Sequence, residues 1–269
     1  YQGDAFFCST PAGHNYFHTL YQQASHDPQW QSWQMPTTCN PHISAAEVEN
    51  MRRLLPERVF RQEYLAEFIA DGAGVFRGID RAPTCAWQDA AQPNMAYVIG
   101  VDWGRHNDFT VFSVMTFQGA LVHLERFTDI GYDLQVGRLK ALWQRFGQCP
   151  ILAESNSLGG PLIERLQRER LNVRPFQTTN ASKADAIEAL SLALENGQIS
   201  LADDDRLAVL KSELLAYDQE RLPSGLIRYG APPGQHDDCV MALAIAWHGV
   251  PPRGLSVPQL GARRVLAGV

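Results

Sequence analysis

Paired cysteines, long apolar runs and net positive charge are all missing from this 269-residue chain. The five cysteines are widely spaced and form no C-x-x-C pair, which argues against a disulfide framework or a structural zinc site and favours a reducing, intracellular setting. No apolar run approaches the ~18–20 residues that cross a bilayer, and the N-terminus lacks the basic and apolar regions of a signal peptide. We therefore expect a soluble protein with no membrane partner.

The formal net charge of −6 works against a nucleic-acid partner, because binding to phosphates is driven by Lys and Arg side chains that release counterions. It does not exclude one. Carboxylates that hold divalent cations add negative formal charge, which the bound metal then neutralises. The position of the carboxylates is therefore more informative than the total charge.

The first 75 residues do not read as a self-sufficient domain, because they open in mid-pattern with an apolar segment at 5–8 that we interpret as a strand. The pattern then predicts a helix over 14–23, a strand over 29–35 and one or two helices over 44–68. A stretch rich in Gly, Pro and Ala follows, and we place a linker at 76–94.

From residue 95 to 250 the pattern alternates between strands and helices. Strands are predicted over 97–102, 110–116, 120–127, 150–154 and 173–176, helices over 134–146, 160–170, 182–195, 203–217 and 235–247, and a hairpin around 223–225. Antiparallel strands that lead into parallel ones predict an α/β fold with a mixed sheet flanked by helices. The remainder, 251–269, is rich in Pro, Gly and Arg and is predicted to be a flexible tail.

Two of the predicted strands end in a carboxylate. Asp102 closes the apolar run that begins at Tyr97, and Glu154 closes the run from Pro150. Open α/β sheets place their sites at the carboxyl ends of strands. Each acid alone could be a turn or capping residue, but together they predict a shared site at one edge of the sheet.

A third acidic element is the pair Asp237 and Asp238, at the start of an apolar helix. Aspartates in a first helical turn are also ordinary capping residues, since they complement the free N–H groups and the helix dipole. The sequence does not decide which of the two is the direct ligand.

Three elements that deliver hard oxygen ligands predict a site for Mg²⁺ or Mn²⁺. Two such ions about 4 Å apart activate a water on one side of a phosphodiester and stabilise the leaving oxygen on the other. We therefore predict metal-dependent phosphodiester hydrolysis with Asp102, Glu154, Asp237 and Asp238 as catalytic metal ligands.

Four further residues are candidates for supporting roles. Asp108 is expected to orient the ligands from outside the metal shell, and Lys183, at the head of a predicted helix, is a candidate DNA contact. Arg105 and His106 follow Asp102 in a loop and are candidates to contact the scissile strand. Each of these also has an ordinary reading as a solvated, turn or capping side chain.

These motifs resemble those of the large terminase subunit of tailed bacteriophages. Val101-Asp102-Trp103-Gly104 with Asp108 resembles the family's first acidic motif, Ala153-Glu154-Ser155-Asn156 the second, and His236-Asp237-Asp238 the third. Upstream, Phe7 to Phe17 resembles the coupling motif that ends the packaging ATPase domain, and Phe60 to Leu65 the link that follows it.

The resemblance implies a ribonuclease H-like nuclease domain over 95–250 that cuts concatemeric viral DNA during packaging, with 1–75 as a remnant of the ATPase domain. No G-x-x-x-x-G-K-[ST] phosphate loop is present, so we expect no ATPase activity from this chain. The implied partners are double-stranded DNA, the portal protein and the small terminase subunit. The implied location is the host cytoplasm of an infected bacterium.

Three alternatives share some of these features. A resolvase or transposase of the same fold carries a similar acidic cluster. A phosphotransferase of the actin and sugar-kinase class has a Gly-x-Asp-x-Gly turn like that around Asp102, but it needs a second lobe that this chain is too short to hold. A module that grips DNA or docks on a portal without cutting leaves Glu154 and the Asp pair unexplained.

Overall fold

The computed structural model describes residues 4–11, 16–69, 74–104, 108–156, 159–222, 227–232 and 234–251. Within these ranges the helices are α1 (Tyr16–Gln23), α2 (Ala45–Leu54), α3 (Glu57–Glu63), α4 (Tyr132–Arg145), α5 (Gly159–Arg168), α6 (Asn180–Glu195), α7 (Ala208–Ala216) and α8 (Asp238–His248). The strands are β1 (Pro83–Cys85), β2 (Tyr97–Asp102), β3 (Thr110–Thr116), β4 (Ala120–Phe127), β5 (Ile151–Glu154), β6 (Val173–Phe176), β7 (Ser200–Ala202), β8 (Asp218–Arg221) and β9 (Ile227–Gly230). None of these helices is both long and apolar enough to cross a membrane.

Seven strands form one mixed sheet in the order β1-β7-β4-β3-β2-β5-β6. The pairs β2–β3 and β3–β4 are antiparallel, and the other pairs are parallel. All seven residues of β3 are buried, as expected for a central strand with both sheet faces covered. The predicted α/β class with a mixed sheet flanked by helices is confirmed.

Each face of the sheet packs against its own set of helices. Residues of α6, α7 and α8 form one core with Val98 and Leu152, whereas residues of α4 and α5 form the other core with Ile99 and Val101. Because side chains alternate along a strand, Asp102 and Glu154 share the face of Val98 and Leu152. The two acidic strand ends therefore lie on the side of the sheet that α8 covers.

Gly100 allows α8 to lie directly on β2. A Cβ atom at this position would lie 2.3 Å from the carbonyl oxygen of Ala242 and 2.4 Å from the amide nitrogen of Ala246. At Gly249, just after the helix, a Cβ atom would lie 2.7 Å from Val98. The helix therefore runs antiparallel to β2, and its first residue, Asp238, points toward the end of the strand where Asp102 lies.

The predicted strands of the central hairpins are confirmed, including the tight turn between β3 and β4, where Gly119 has a φ of 91°. The predicted hairpin around 223–225 is confirmed in its strands, since β8 and β9 pair antiparallel, while residues 223–226 lie outside the described ranges. The strands predicted at 5–8 and 29–35 are wrong, because no strand is found in the described part of 4–69. Those segments instead form exposed aromatic contacts, such as Phe7 stacked on Trp30 with ring centroids 6.1 Å apart.

The short strands β1 and β7 are not predicted by the sequence pattern. They pair in parallel at one end of the sheet, and β1 lies inside the stretch read as a linker. Just before it, Val75, Phe76 and Ile79 are buried in the core beneath α6 and α7. The packed core therefore extends into 76–94, and the domain boundary drawn there stays a prediction.

Candidate metal centre

Asp102 and Glu154, here called the strand-end pair, are brought together by main-chain pairing. Strands β2 and β5 are parallel neighbours, and Val101 lies opposite Ala153 in the register. The next residue of each strand is one of the acids, so the carboxylates come side by side at one sheet edge. Gly159, at the start of α5, completes the packing, because a Cβ there would lie 2.0 Å from the carbonyl oxygen of Glu154.

The electrostatics of Asp102 show how crowded this edge is. Burial raises the pKa of Asp102 well above its usual value, and the charge and hydrogen bond of Glu154 raise it further. The charges of Asp238 and Asp237 act in the same direction. The other three predicted ligands therefore all lie close enough to Asp102 to disfavour its ionised form, and protons or cations would offset that repulsion.

Asp237 and Asp238, here called the helix-start pair, stand at the first turn of α8. Asp237 occupies the N-cap position, yet its side chain makes no capping hydrogen bond within the described residues. Glu213 of α7 does this instead, since its Oε2 accepts from the backbone N–H groups of Cys239 at 2.9 Å and Val240 at 3.2 Å. The capping role that the sequence allows for the aspartates is thus filled from another helix.

Asp237 pairs with Lys183. The Nζ atom of Lys183 donates to Oδ2 of Asp237 at 2.8 Å, and both side chains are half-buried. Lys183 lies in the first turn of α6, which is fixed by a capping box between Thr179 and Ser182. The predicted DNA contact Lys183 is therefore placed inside the acidic cluster, where it neutralises one carboxylate.

Asp238 faces a different set of neighbours. Nδ1 of His236 lies 3.5 Å from Oδ2 of Asp238 and 4.0 Å from Oδ1 of Asp108, and each of the three residues offers one ligand atom within 4.8 Å of the others. Asp108, predicted to orient the ligands from outside, thus lies beside the cluster. His236 was not predicted as a ligand, and its only signal in the sequence is that it precedes the Asp pair.

The pKa of Asp238 is raised to about 6. Burial is the main cause, and the charges of Asp108 and Asp237 add to it, while His236 and the backbone N–H of Phe109 oppose it. Among the described residues, Oδ2 of Asp238 is buried without a hydrogen-bond partner. A buried oxygen of this kind is costly unless a donor or a cation satisfies it.

The loop after Asp102 is held by hydrogen bonds at its base. Oγ1 of Thr110 accepts from the backbone N–H of Gly104 at 2.9 Å and donates to Oε1 of Gln135 at 2.9 Å. These bonds tie the end of β2 to the start of β3, two residues after Asp108. Arg105 and His106 lie outside the described residues, so their predicted DNA contacts stay predictions.

The donor set fits a hard divalent cation. Carboxylate oxygens dominate, one imidazole is added by His236, and Oδ2 of Asp238 is buried without a hydrogen bond among the described residues, as a cation ligand would be. Mg²⁺ and Mn²⁺ prefer oxygen ligands of this kind.

Comparison with known proteins agrees with this geometry. A family model described as the terminase RNaseH-like domain matches residues 99–248. The large terminase subunits of Thermus virus P23-45 and Thermus phage G20c are 35% and 34% identical over 207 residues, which is 73% of this chain and 42% of each relative. The chain thus spans less than half the length of these curated relatives.

Solved structures agree as well. The large terminase nuclease of the thermophilic phage G20c is 30% identical with a TM-score of 0.59, and the match covers 65% of this chain and 97% of that one. The same nuclease has been solved with bound magnesium and with bound cobalt. The large terminase of another thermophilic bacteriophage matches 90% of this chain and 61% of its own at 14% identity with a TM-score of 0.62, which shows likeness of fold.

The mixed sheet with acids at adjacent strand ends defines an RNase H-like domain of the nuclease type. The chain belongs to the family of phage large terminase subunits, through their RNase H-like nuclease domain. The predicted membership of this family is confirmed, while the roles of the acidic residues stay predictions.

Proposed function

We propose that this chain carries the metal-dependent endonuclease of a large terminase and cuts concatemeric viral double-stranded DNA during genome packaging. The observation that carries the proposal is geometric: Asp102 and Glu154 end adjacent parallel strands on the sheet face that α8 covers, and Asp237 and Asp238 stand at the first turn of α8. The relatives solved as large terminase nucleases, one of them with bound magnesium, support it.

The strand-end pair and Asp238 are the residues that would hold the ions. Asp238 is favoured over Asp237 as the direct ligand, because one of its oxygens is buried without a hydrogen bond among the described residues, whereas Asp237 already accepts a hydrogen bond from Lys183. Two ions of Mg²⁺ or Mn²⁺ would supply the activation of the attacking water and the stabilisation of the leaving oxygen.

The side chains around the cluster prepare it for a polyanionic substrate. Lys183 donates a hydrogen bond to Asp237, and we propose that it also contacts a phosphate that enters the cluster. Arg105 and His106 are proposed to contact the strand that is cut. Asp108 and His236 flank Asp238 and orient its carboxylate.

The wider role of the chain is proposed from its family. The partners would be double-stranded DNA, the portal protein and the small terminase subunit, in the host cytoplasm of an infected bacterium. Because the sequence has no phosphate loop of the P-loop type, no ATP hydrolysis is assigned to it.

Plasmid cleavage tests the proposal. The protein is expected to nick and then linearise supercoiled DNA in Mg²⁺ or Mn²⁺ and to be inert in excess chelator. Asp102→Asn is expected to abolish cutting, while the control Asp204→Asn, which alters an exposed cap of a 3₁₀ turn, leaves it intact. Cleavage by Asp102→Asn or in chelator would refute the metal mechanism. Cutting only of branched junctions would favour a resolvase, and metal-dependent binding without cutting would favour a docking module.

A further inference from the structure

We infer that Glu213 is a positioning residue that keeps the helix-start pair available for metal, an inference that rests on the proposed function. Glu213 lies on α7 and is buried, with 8% of its surface exposed. Its Oε2 accepts two hydrogen bonds from the first turn of α8. A carboxylate buried against the start of another helix requires such donors.

The two N–H groups that Glu213 binds are those that an N-cap aspartate normally occupies. The N-cap residue of α8 is Asp237, and its side chain ordinarily accepts from the second or third residue of the helix, here Cys239 or Val240. Glu213 has taken both donors. The Asp237 carboxylate is therefore left to face Lys183 rather than its own helix.

The other oxygen of Glu213 reaches toward a second support of the site. Its Oε1 lies 3.9 Å from Nε of Arg126, and the Arg126 guanidinium lies 3.2 Å from the ring centre of Phe109. The Phe109 ring in turn makes an edge contact with His236 at 5.1 Å. Glu213 thus supports the helix-start pair directly, through its bonds to α8. It also supports the position of His236, through Arg126 and Phe109.

Removal of Glu213 is expected to convert Asp237 into an ordinary helix cap. In Glu213→Ala the N–H groups of Cys239 and Val240 lose their acceptor, and Asp237 holds the N-cap position from which a side chain can replace it. Asp237 would then leave Lys183 and withdraw its charge from the cluster. Loss of a residue that orients metal ligands typically costs about 10–100-fold in metal affinity or activity.

The test compares Mn²⁺ affinity, measured by electron paramagnetic resonance well below the melting temperature, in the intact chain and its variants. Glu213→Ala is expected to bind Mn²⁺ about tenfold more weakly. Glu213→Gln, which keeps an acceptor oxygen, should restore most of the affinity. Ser44→Ala removes a cap of the same kind from α2, where Oγ accepts from Glu47 N at 3.1 Å, and should leave the affinity unchanged.

A double-mutant cycle separates positioning from general loosening. If Asp237 has turned back to cap α8, then Asp237→Ala weakens Mn²⁺ binding in the wild-type background but has little further effect in Glu213→Ala. Additive losses, or a folded Glu213→Ala with wild-type affinity, would overturn the inference. If Glu213→Ala does not fold, Glu213→Asp, which is one methylene shorter, replaces it, and wild-type affinity in that folded variant overturns the inference equally. Failure of the wild-type protein to bind Mn²⁺ or cut DNA would instead contradict the proposed function.

Discussion

The strand-end pair and the helix-start pair contribute the same chemical groups, but they are placed by different means. Asp102 and Glu154 are set by the register of two parallel strands, so main-chain hydrogen bonds alone bring them together. Asp237 and Asp238 depend on side chains from other helices, since Glu213 caps α8 and Lys183 holds Asp237. The comparison shows a cluster with one rigid half, fixed by the backbone, and one half that long-range contacts must maintain.

The largest effect is expected from a substitution at Asp102, which lies in the half of the cluster that the backbone fixes. Asp102→Asn removes a proposed metal ligand, so cleavage should fall below detection. It also removes a charge that burial and Glu154 disfavour, so the metal-free protein should become no less stable. A gain of ~1 kcal/mol would raise the melting temperature in chelator by about 2–4 °C. Plasmid cleavage and thermal melting measure the two effects, and a lower melting temperature in chelator would contradict this account of repulsion in the apo site.

A substitution at Gly100 is expected to push α8, with the helix-start pair, away from the strand-end pair. The Cβ of Gly100→Ala would collide with the backbone of α8 at Ala242 and Ala246, which is costly because neither atom can move without shifting the helix. Such overpacking is expected to destabilise the protein by about 1–3 kcal/mol and to weaken metal binding. Gly137→Ala is the matched control, because nothing lies within 4 Å of a Cβ at that helical position. Equal effects of the two substitutions on urea denaturation would show that contact with α8 does not matter.

Removal of Lys183 tests the helix-start pair, because Lys183 is the cation that holds Asp237. Lys183→Met should leave Asp237 without its cation, so the cluster becomes more negative and binds Mn²⁺ a few-fold more tightly, a change of about 1 kcal/mol. Cleavage should fall about tenfold if Lys183 also meets the scissile phosphate. Mn²⁺ titration and cleavage rates are measured on the same preparation. Weaker Mn²⁺ binding would show that Lys183 supports the metal site instead of competing with the metal.

The smallest effect is expected in the thiol reactivity of two buried cysteines, one next to β5 and one in the first turn of α8. Cys149 precedes β5, and burial raises the pKa of its thiol to about 12, so at pH 8 only about one thiol in 10,000 is ionised. Cys239 lies in the first turn of α8, and burial and Glu213 raise the pKa of its thiol as well. A thiol reagent at pH 8 should label the exposed Cys8 and Cys39 and spare both buried residues. Added Mn²⁺ should slow any residual labelling of Cys239 and leave Cys149 unchanged, as mass spectrometry of peptides can show.

The difference between the halves also explains what could be predicted from the sequence. Strands that end in Asp102 and Glu154 are visible as apolar runs closed by an acid, and the parallel pairing follows from the alternation of helices and strands. The roles of Glu213 and His236 are not visible in this way, because they depend on contacts between residues far apart in the chain. Cys239 comes 26 residues after Glu213 in the chain, and no local pattern links the two.

The sequence pattern also misled in two kinds of segment: very short strands, which it missed, and segments without a neighbouring strand, where it predicted strands that do not form. β1 and β7 have three residues each, too few to show a period of two, and they exist because β7 pairs with β4 and β1 pairs with β7. The segments 5–8 and 29–35 have the aromatic content of strands but no strand beside them in the described residues. Strand propensity is a weak guide where pairing is decided elsewhere.

The two outer strands of the sheet have a consequence for how copies of this protein meet. At one edge β1 is only three residues long, and at the other β6 carries Pro175, which has no N–H to offer an incoming strand. Neither edge is suited to continue the sheet into a second molecule. Copies crowded together are thus protected from joining edge to edge through the seven-stranded sheet, and we expect contacts between copies to use other surfaces.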